Sequence, residues 1–237
     1  MKIEILYPEA ANLFGDCWNH RYLRECMPEA EFVETHFDDV PAFVSEDVSL
    51  IIMGAMTERA QEWAIERLLP YKDRLRELVD GGTVFLMTAN AGEVFCEYIE
   101  NEDGTRINGL GIVPLHAKRD MMHRHNAVML CDFEGMELVG FKAEFSTLYG
   151  DNSDFGFAKV RYGTGINPAS NIEGVRINNF FSTAMVGPFL MMNPGFVKYL
   201  MRLLGVAEPK LRHEELITAA YEDRLSDIKR MSETKKK

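Results

Sequence analysis

The sequence predicts an α/β fold, a three-layer sandwich in which helices cover a parallel sheet and the second half adds an antiparallel extension. Three observations predict it. Short apolar runs at Lys2–Tyr7, Val48–Met53 and Thr83–Met87 alternate with amphipathic helical stretches, the pattern of strands buried on both faces. The runs at Val48–Met53 and Thr83–Met87 end in small residues that permit a sharp turn, Gly54–Ala55 and Ala89–Asn90–Ala91–Gly92. After Tyr98 the strand-like segments are separated by turn signals instead of helices.

Taken in order, Lys2–Tyr7 reads as the first strand, stopped by Pro8. A polar loop to Asp16 precedes a helix running to about Cys26, with Trp18, Tyr22, Leu23 and Cys26 on one face and Pro28 as its stop. Glu31–Phe37 alternates as a second strand, and Val48–Met53 is the third. A long amphipathic helix spans Gln61 to about Val79, and Pro70 within it predicts a kink or a split. Gly81–Gly82 closes it before the central strand Thr83–Met87. A helix carrying Val94, Phe95, Tyr98 and Ile99 inward is expected next. Asn101–Gly104 (NEDG) signals a hairpin, followed by a strand at Thr105–Ile112. Asn126–Cys131, Glu137–Phe145, Phe157–Tyr162 and Gly174–Phe181 read as further strands. Pro194–Leu204 is a helix with Gly205 at its C-cap, and one more helix follows from Glu208. Residues 1–205 are expected to form the main domain and 206–237 a helical tail ending in solvated Lys235–Lys237.

With 237 residues, 46 % apolar and 27 % charged, the chain can bury a sizeable core. A formal charge of −11 argues against nucleic-acid and anionic-membrane surfaces. The start, MKIEILYPEA, reads as a strand and not as a signal peptide, so a cytoplasmic location is expected. Cys17, Cys26, Cys96 and Cys131 lack metal-ligand spacing and read as free thiols; no cofactor or metal is expected.

The strand–turn–helix junction at Thr83–Glu100 has the layout of a nucleophile elbow, which lifts one side chain above the sheet beside backbone N–H donors. The residue at its tip is Ala89, which has no nucleophilic atom. The phrases LYPEAANLFGD at 6–16, DGTRINGLGI at 103–112, ELVGF at 137–141, GTGIN at 163–167, NIEGVRINN at 171–179 and VGPFLMMNP at 186–194 stand in a recognisable order. With the elbow, they resemble the class I glutamine amidotransferases of the cobyric acid synthase type. Within that group they most resemble the small glutaminase subunits of lipid II isoglutaminyl synthase, which work beside a Mur-ligase-like partner.

The resemblance implies a flavodoxin-like fold and a catalytic cysteine and histidine. It places them at Ala89 and Val186, the family's two elbow glycines at Asn90 and Ala91, and its glutamine at Glu93. Its Asn-His stretch after Gly-Phe is replaced by Lys142, Ala143 and Glu144, and its glycine-rich third-strand loop by Gly54, Ala55 and Met56. The expectation is a pseudo-glutaminase with no catalytic residue, a binding or regulatory subunit of a synthetase, a Mur-ligase-like protein or a paralogue. Gly54, Ala55, Asn90 and Glu93 are its candidate ligand contacts, for a glutamine-like small molecule.

Two other readings stand beside it. An active amidohydrolase would need a relocated nucleophile at Cys96, or help from His123 and His125 with Asp120 as a metal-site partner; Lys118, Arg119 and Arg124 beside them disfavour a metal cation. A small-molecule sensor would use the family's glutamine pocket, with Asn90 and Glu93 as polar contacts. His116 completes the histidine cluster, which otherwise reads as a solvated edge. Asn12 and Asp16 are either site or partner contacts or loop caps.

Overall fold

A computed structural model gives the fold and describes residues 1–234; Lys235–Lys237 lie outside the described residues. The first half builds β1 (Lys2–Leu6), α1 (Cys17–Cys26), β2 (Glu31–Thr35), β3 (Leu50–Met53), α2 (Glu58–Leu68), α3 (Lys72–Asp80) and β4 (Val84–Thr88). Then come β5 (Tyr98–Glu100), β6 (Arg106–Asn108), β7 (His116–Arg119), β8 (His125–Phe133), β9 (Met136–Glu144) and β10 (Ser146–Tyr149). The chain continues through β11 (Ala158–Tyr162), β12 (Ile172–Glu173), β13 (Val175–Ile177) and β14 (Phe180–Thr183). It closes with α4 (Phe189–Met192), α5 (Pro194–Leu203) and α6 (Glu214–Thr234).

The main sheet runs β13-β14-β4-β3-β1-β2, parallel except for β13, which returns antiparallel onto β14. Alternation along each strand sends side chains to two cores, as period two requires. Leu6, Ile51, Met53, Phe85 and Met87 face α2 and α3, which contribute Ala64, Ile65, Leu68, Leu75 and Val79. Ile3, Leu50, Ile52, Leu86 and Phe181 face α1 and α5, which contribute Leu23, Phe196, Val197 and Leu200. These are the three layers the sequence predicts. The antiparallel extension forms two smaller sheets, β10-β7-β5-β6 and β12-β11-β8-β9. Inward residues of the latter, Met129, Cys131, Phe133 and Leu138, join the second core.

Pro70 splits the long helix, as expected: α2 ends at Leu68 and a tight turn over Leu69–Tyr71 leads into α3. Elsewhere the structure corrects the reading. The expected helix after the elbow is a 3-10 turn, Ala89–Phe95, and Tyr98 and Ile99 lie on β5. Val94 and Phe95 are buried as expected, but Gly109 and Leu110 hydrogen-bond into the segment and cut it short. The strand expected at Thr105–Ile112 is confined to Arg106–Asn108, because Gly109 packs directly on the Cys96 carbonyl: a Cβ there would lie 2.3 Å from that oxygen. Gly174–Phe181 is a hairpin and not one strand; Asn178 takes φ +52° at its turn, a conformation asparagine tolerates. Trp18 is 49 % exposed, off the buried face of α1. Among the described residues no helix is long and apolar enough to cross a membrane.

Candidate functional site at the elbow

The carboxyl ends of β1, β3, β4 and β14 converge on the elbow, the position at which open α/β sheets bind ligands. Thr88 pairs with Thr183, so the segment leading to Val186 leaves the sheet beside the elbow tip. Ala89 holds φ +52°, the left-handed region that only glycine enters freely. For an L-residue that conformation costs about 1–2 kcal/mol. Close packing imposes it: a Cβ on Gly92 would lie 1.9 Å from Ser182 Oγ, so the turn is pressed against β14. The elbow's strained backbone is present, and its tip carries a methyl group. Ala89→Gly is therefore expected to raise stability to urea unfolding by about 0.5–1 kcal/mol, the relief of positive φ exceeding glycine's added chain entropy. A loss of stability would contradict this.

Two backbone donors of the loop facing the tip are engaged. Ala55 N–H donates to Asp16 Oδ2 at 2.8 Å, and Met56 N–H to Asn90 Oδ1 at 3.0 Å. Asn90 Nδ2 returns a bond to the Met56 carbonyl at 2.8 Å, fastening the loop after β3 to the elbow. Gly54 lies below this loop, where a Cβ would meet the Ala11 carbonyl at 2.4 Å. Asp16 is buried and also accepts from Thr88 Oγ1 at 2.6 Å and Asn19 Nδ2 at 3.3 Å; burial raises its carboxyl above the usual range. It ties the first loop to the ends of β3 and β4. Asn12 donates to the Pro8 carbonyl, a local loop bond. Val186 is buried, and its N–H donates to the Phe141 carbonyl at 2.8 Å.

Under the elbow lies a buried polar network. Glu93 accepts from Gln61 Nε2 at 2.8 Å and from Ser146 Oγ, and burial raises its carboxyl. Gln61 Nε2 also donates to the Asn90 carbonyl at 2.7 Å, and Gln61 Oε1 accepts from Arg119 Nη2 at 2.8 Å. Arg119 continues to Glu62 at 2.7 Å and Asn101 at 3.1 Å. Next to it, Lys142 is 1 % exposed and pairs with the fully buried Glu173 at 2.6 Å. Glu173 also accepts from Thr183 Oγ1 at 2.9 Å and Ala184 N–H at 2.8 Å. Glu144, two residues along β9, is 3.9 Å from Lys142 Nζ, and burial pushes its carboxyl up to about 8.

Two voids meet at Ala89. An inner one of about 20 Å³ is bordered by Glu93, Lys142, Glu144, Ser146 and Glu173. An open pocket of about 200 Å³ is bordered by Phe14, Ala55, Met56, Asn90, Arg124 and Glu144. Of the ligand-contact candidates, Ala55 and Asn90 thus border the open pocket, Glu93 borders the inner void, and Gly54 borders neither.

Cys96 is buried, and its thiol lies 3.7 Å from the Gly92 carbonyl; burial pushes it well above the ordinary thiol value, the opposite of activation. The histidines do not share a strand face. His116 stacks on Tyr98 and Tyr149, His123 sits in an exposed turn 3.0 Å from Asp120, and His125 begins β8. Among the described residues no group of three or more His, Cys, Asp or Glu is placed to hold a metal ion.

Sequence reading passed over Lys142 and Glu144 as chemistry and saw them only as departures from a pattern. The signal was available: two charges at i and i+2 inside the apolar strand VGFKAEF must share a face.

No protein-family model matches the sequence, and no curated protein matches it. Solved structures do resemble it. A glutamine amidotransferase crystal structure superposes with a TM-score of 0.57 at 14 % identity, covering 86 % of this chain and 99 % of the other. A glutamine amidotransferase of Thermotoga maritima gives 0.51 at 10 % identity, covering 98 % of each chain. PurLQS of Thermotoga maritima gives 0.52 at 13 % identity, covering 78 % of this chain and 86 % of the other. The fold is that of the glutamine amidotransferases. Within the amidotransferase fold, Ala89 stands at the elbow and the acidic residues Glu93, Glu144 and Glu173 cluster about it.

Proposed function

We propose that this chain is a glutaminase-like subunit without glutaminase chemistry, acting by binding or regulation beside a synthetase or Mur-ligase-like partner, or a catalytic paralogue. One observation carries the reading: Ala89 occupies the strained elbow tip, and the two backbone N–H groups of the facing loop are bonded to Asp16 and Asn90. An acyl-transfer site needs a nucleophile and free oxyanion donors at the tip. Val186 at the histidine position supports the same reading, as does the order of motifs resembling the cobyric acid synthase type and its isoglutaminyl synthase branch. We assign residues 1–205 to the amidotransferase-like domain and 206–237 to its helical tail. A cytoplasmic setting agrees with the free cysteines.

Leu13, Phe14 and Trp18 support a partner face. They are 37 %, 45 % and 49 % exposed; Leu13 and Phe14 border the mouth of the open pocket, and Trp18 follows them at the start of α1. An apolar rim at a pocket mouth is a usual mark of a contact surface. The relocated-nucleophile reading is disfavoured by the burial of Cys96. Purified from its native host at endogenous levels, the protein is expected to elute as a stoichiometric complex with an ATP-dependent ligase or a catalytic paralogue. Phe14→Ser/Trp18→Ser should weaken that complex at least tenfold. Elution only as a free monomer would contradict the proposal.

A further inference from the structure

We propose that Cys17 is a thiol-modification site: a small disulfide bearing a carboxylate seats in the cleft over α1, its carboxylate on Arg21 and His20, and leaves one half on the Cys17 sulfur. This goes beyond the reading above and needs neither the elbow nor a partner.

Helix geometry assembles the site. Cys17, His20, Arg21 and Arg24 stand at i, i+3, i+4 and i+7 of α1, which puts them on one face. All four border an open cleft of about 480 Å³, as do Asn12 of the first loop and Glu34 of β2. His20 is the observation that asks for a ligand. It is 7 % exposed, and its Nδ1 has no hydrogen-bond partner. Buried polar atoms in folded proteins are nearly always paired, so an unpaired one beside a cleft calls for a group from outside. Burial pulls the imidazole down to about 4, so the ring is neutral at pH 7. A neutral ring can carry its proton on Nδ1 and donate it to a ligand oxygen.

Charge selects the class. Arg21 is exposed, its guanidinium 5.6 Å over the Trp18 ring, and it makes no ion pair among the described residues. Arg24 is held by Glu34 at 3.4 Å, which leaves Glu25 as the unpaired acid at the cleft. Glu25 lies eight residues from Cys17, about 12 Å along the helix axis, whereas Arg21 is four residues and about 6 Å away. Asp16, the neighbour of Cys17, is buried and bonded to Ala55, Thr88 and Asn19. Beside the thiol the cleft therefore offers a free cation and a neutral donor, which together suit a carboxylate.

Among the four thiols the choice falls on Cys17. Cys96 and Cys131 are buried. Cys26 is half-buried, but its Sγ accepts the Arg212 N–H at 3.4 Å and it does not border the cleft. Cys17 is half-buried and does. Thiols react where they are partly exposed beside positive charge. The exchange balances: Cys17 Sγ gives up its proton and attacks one sulfur, the ligand's S–S bond breaks as Cys17–S–S–R forms, and R–S⁻ leaves and takes up a proton. The protein thiol is oxidised and the departing half of the disulfide is reduced.

The test is reaction of the full chain with limiting dithiobis(nitrobenzoate), which carries a carboxylate on each half, and with uncharged dithiodipyridine. Wild type, Arg21→Gln and Cys17→Ser are compared by absorbance, and peptide mass spectrometry locates the adduct. The expected result is a single fast equivalent, located on Cys17 and lost in Cys17→Ser. Arg21→Gln should slow the nitrobenzoate reagent about fivefold and dithiodipyridine by less than about twofold. In the nitrobenzoate adduct the His20 ring nitrogens, read by NMR, should shift as Nδ1 gains a partner. Thermal unfolding reports that both variants are folded. First labelling at Cys26, a fast phase kept in Cys17→Ser, equal slowing of both reagents in Arg21→Gln, or an unchanged His20 signal would each overturn the proposal. None of these outcomes would alter the reading of Ala89.

Discussion

Lys142→Met is expected to destabilise the protein by about 3–5 kcal/mol, the usual cost of removing one member of a buried ion pair. At this chain length that lowers the melting temperature by roughly 10 °C. The size follows from burial on both sides: Lys142 is 1 % exposed and Glu173 fully buried, with Nζ 2.6 Å from the carboxylate. Burial pulls the Lys142 ammonium down, but Glu173 and Glu144 outweigh it and hold the ammonium above its ordinary value. Methionine fills the volume and leaves the buried Glu173 carboxyl without its cation. Adding Glu173→Gln should recover more than half the loss, because the amide oxygen still accepts from Thr183 and Ala184 without stranding a charge. A double variant no more stable than Lys142→Met would show that packing, and not charge, sets the cost.

Glu144→Gln should stabilise the protein, and only towards alkaline pH. The folded-state carboxyl sits near 8, above its ordinary value of 4.5. A raised acid binds more protons folded than unfolded, so wild-type stability falls as pH rises from about 4.5 to about 8, at roughly 1.4 kcal/mol per unit. Below pH 4.5 both states carry the proton and the variant should match wild type. By pH 8–9 the gap should reach on the order of 3–5 kcal/mol and then level off. Asp16 and Glu93, also raised by burial, tilt the wild-type curve the same way but are common to both proteins. Urea unfolding at pH 5, 7 and 9 checks this, and a pH-independent difference would contradict it.

The parallel half of the fold was legible because local and tertiary demands agree there. A run such as LIIM at Leu50–Met53 is fully buried in the structure, and nothing in its sequence favours another state. Pro70 announced its own break. The elbow turn was legible from its small residues, but its continuation was not. VFCEYIE has helical spacing, yet Gly109 and Leu110, distant from it on the far side of a hairpin, pull it into a 3-10 turn and a strand. β7 and β10 were missed for a similar reason: each is only four residues, and the two pair with each other across 26 or more intervening positions. Of the site, the loss at Ala89 and Val186 was readable from motif order. The network joining Arg119, Gln61, Glu93 and Ser146 was not, since it draws single polar residues from four separate segments.

Ammonia release from glutamine by the purified wild-type protein, run beside Cys96→Ala, tests most directly whether the elbow without a nucleophile is also without chemistry. A rate equal to that of buffer is expected for both proteins. Wild-type turnover that disappears in Cys96→Ala would contradict it and place the nucleophile at the buried thiol.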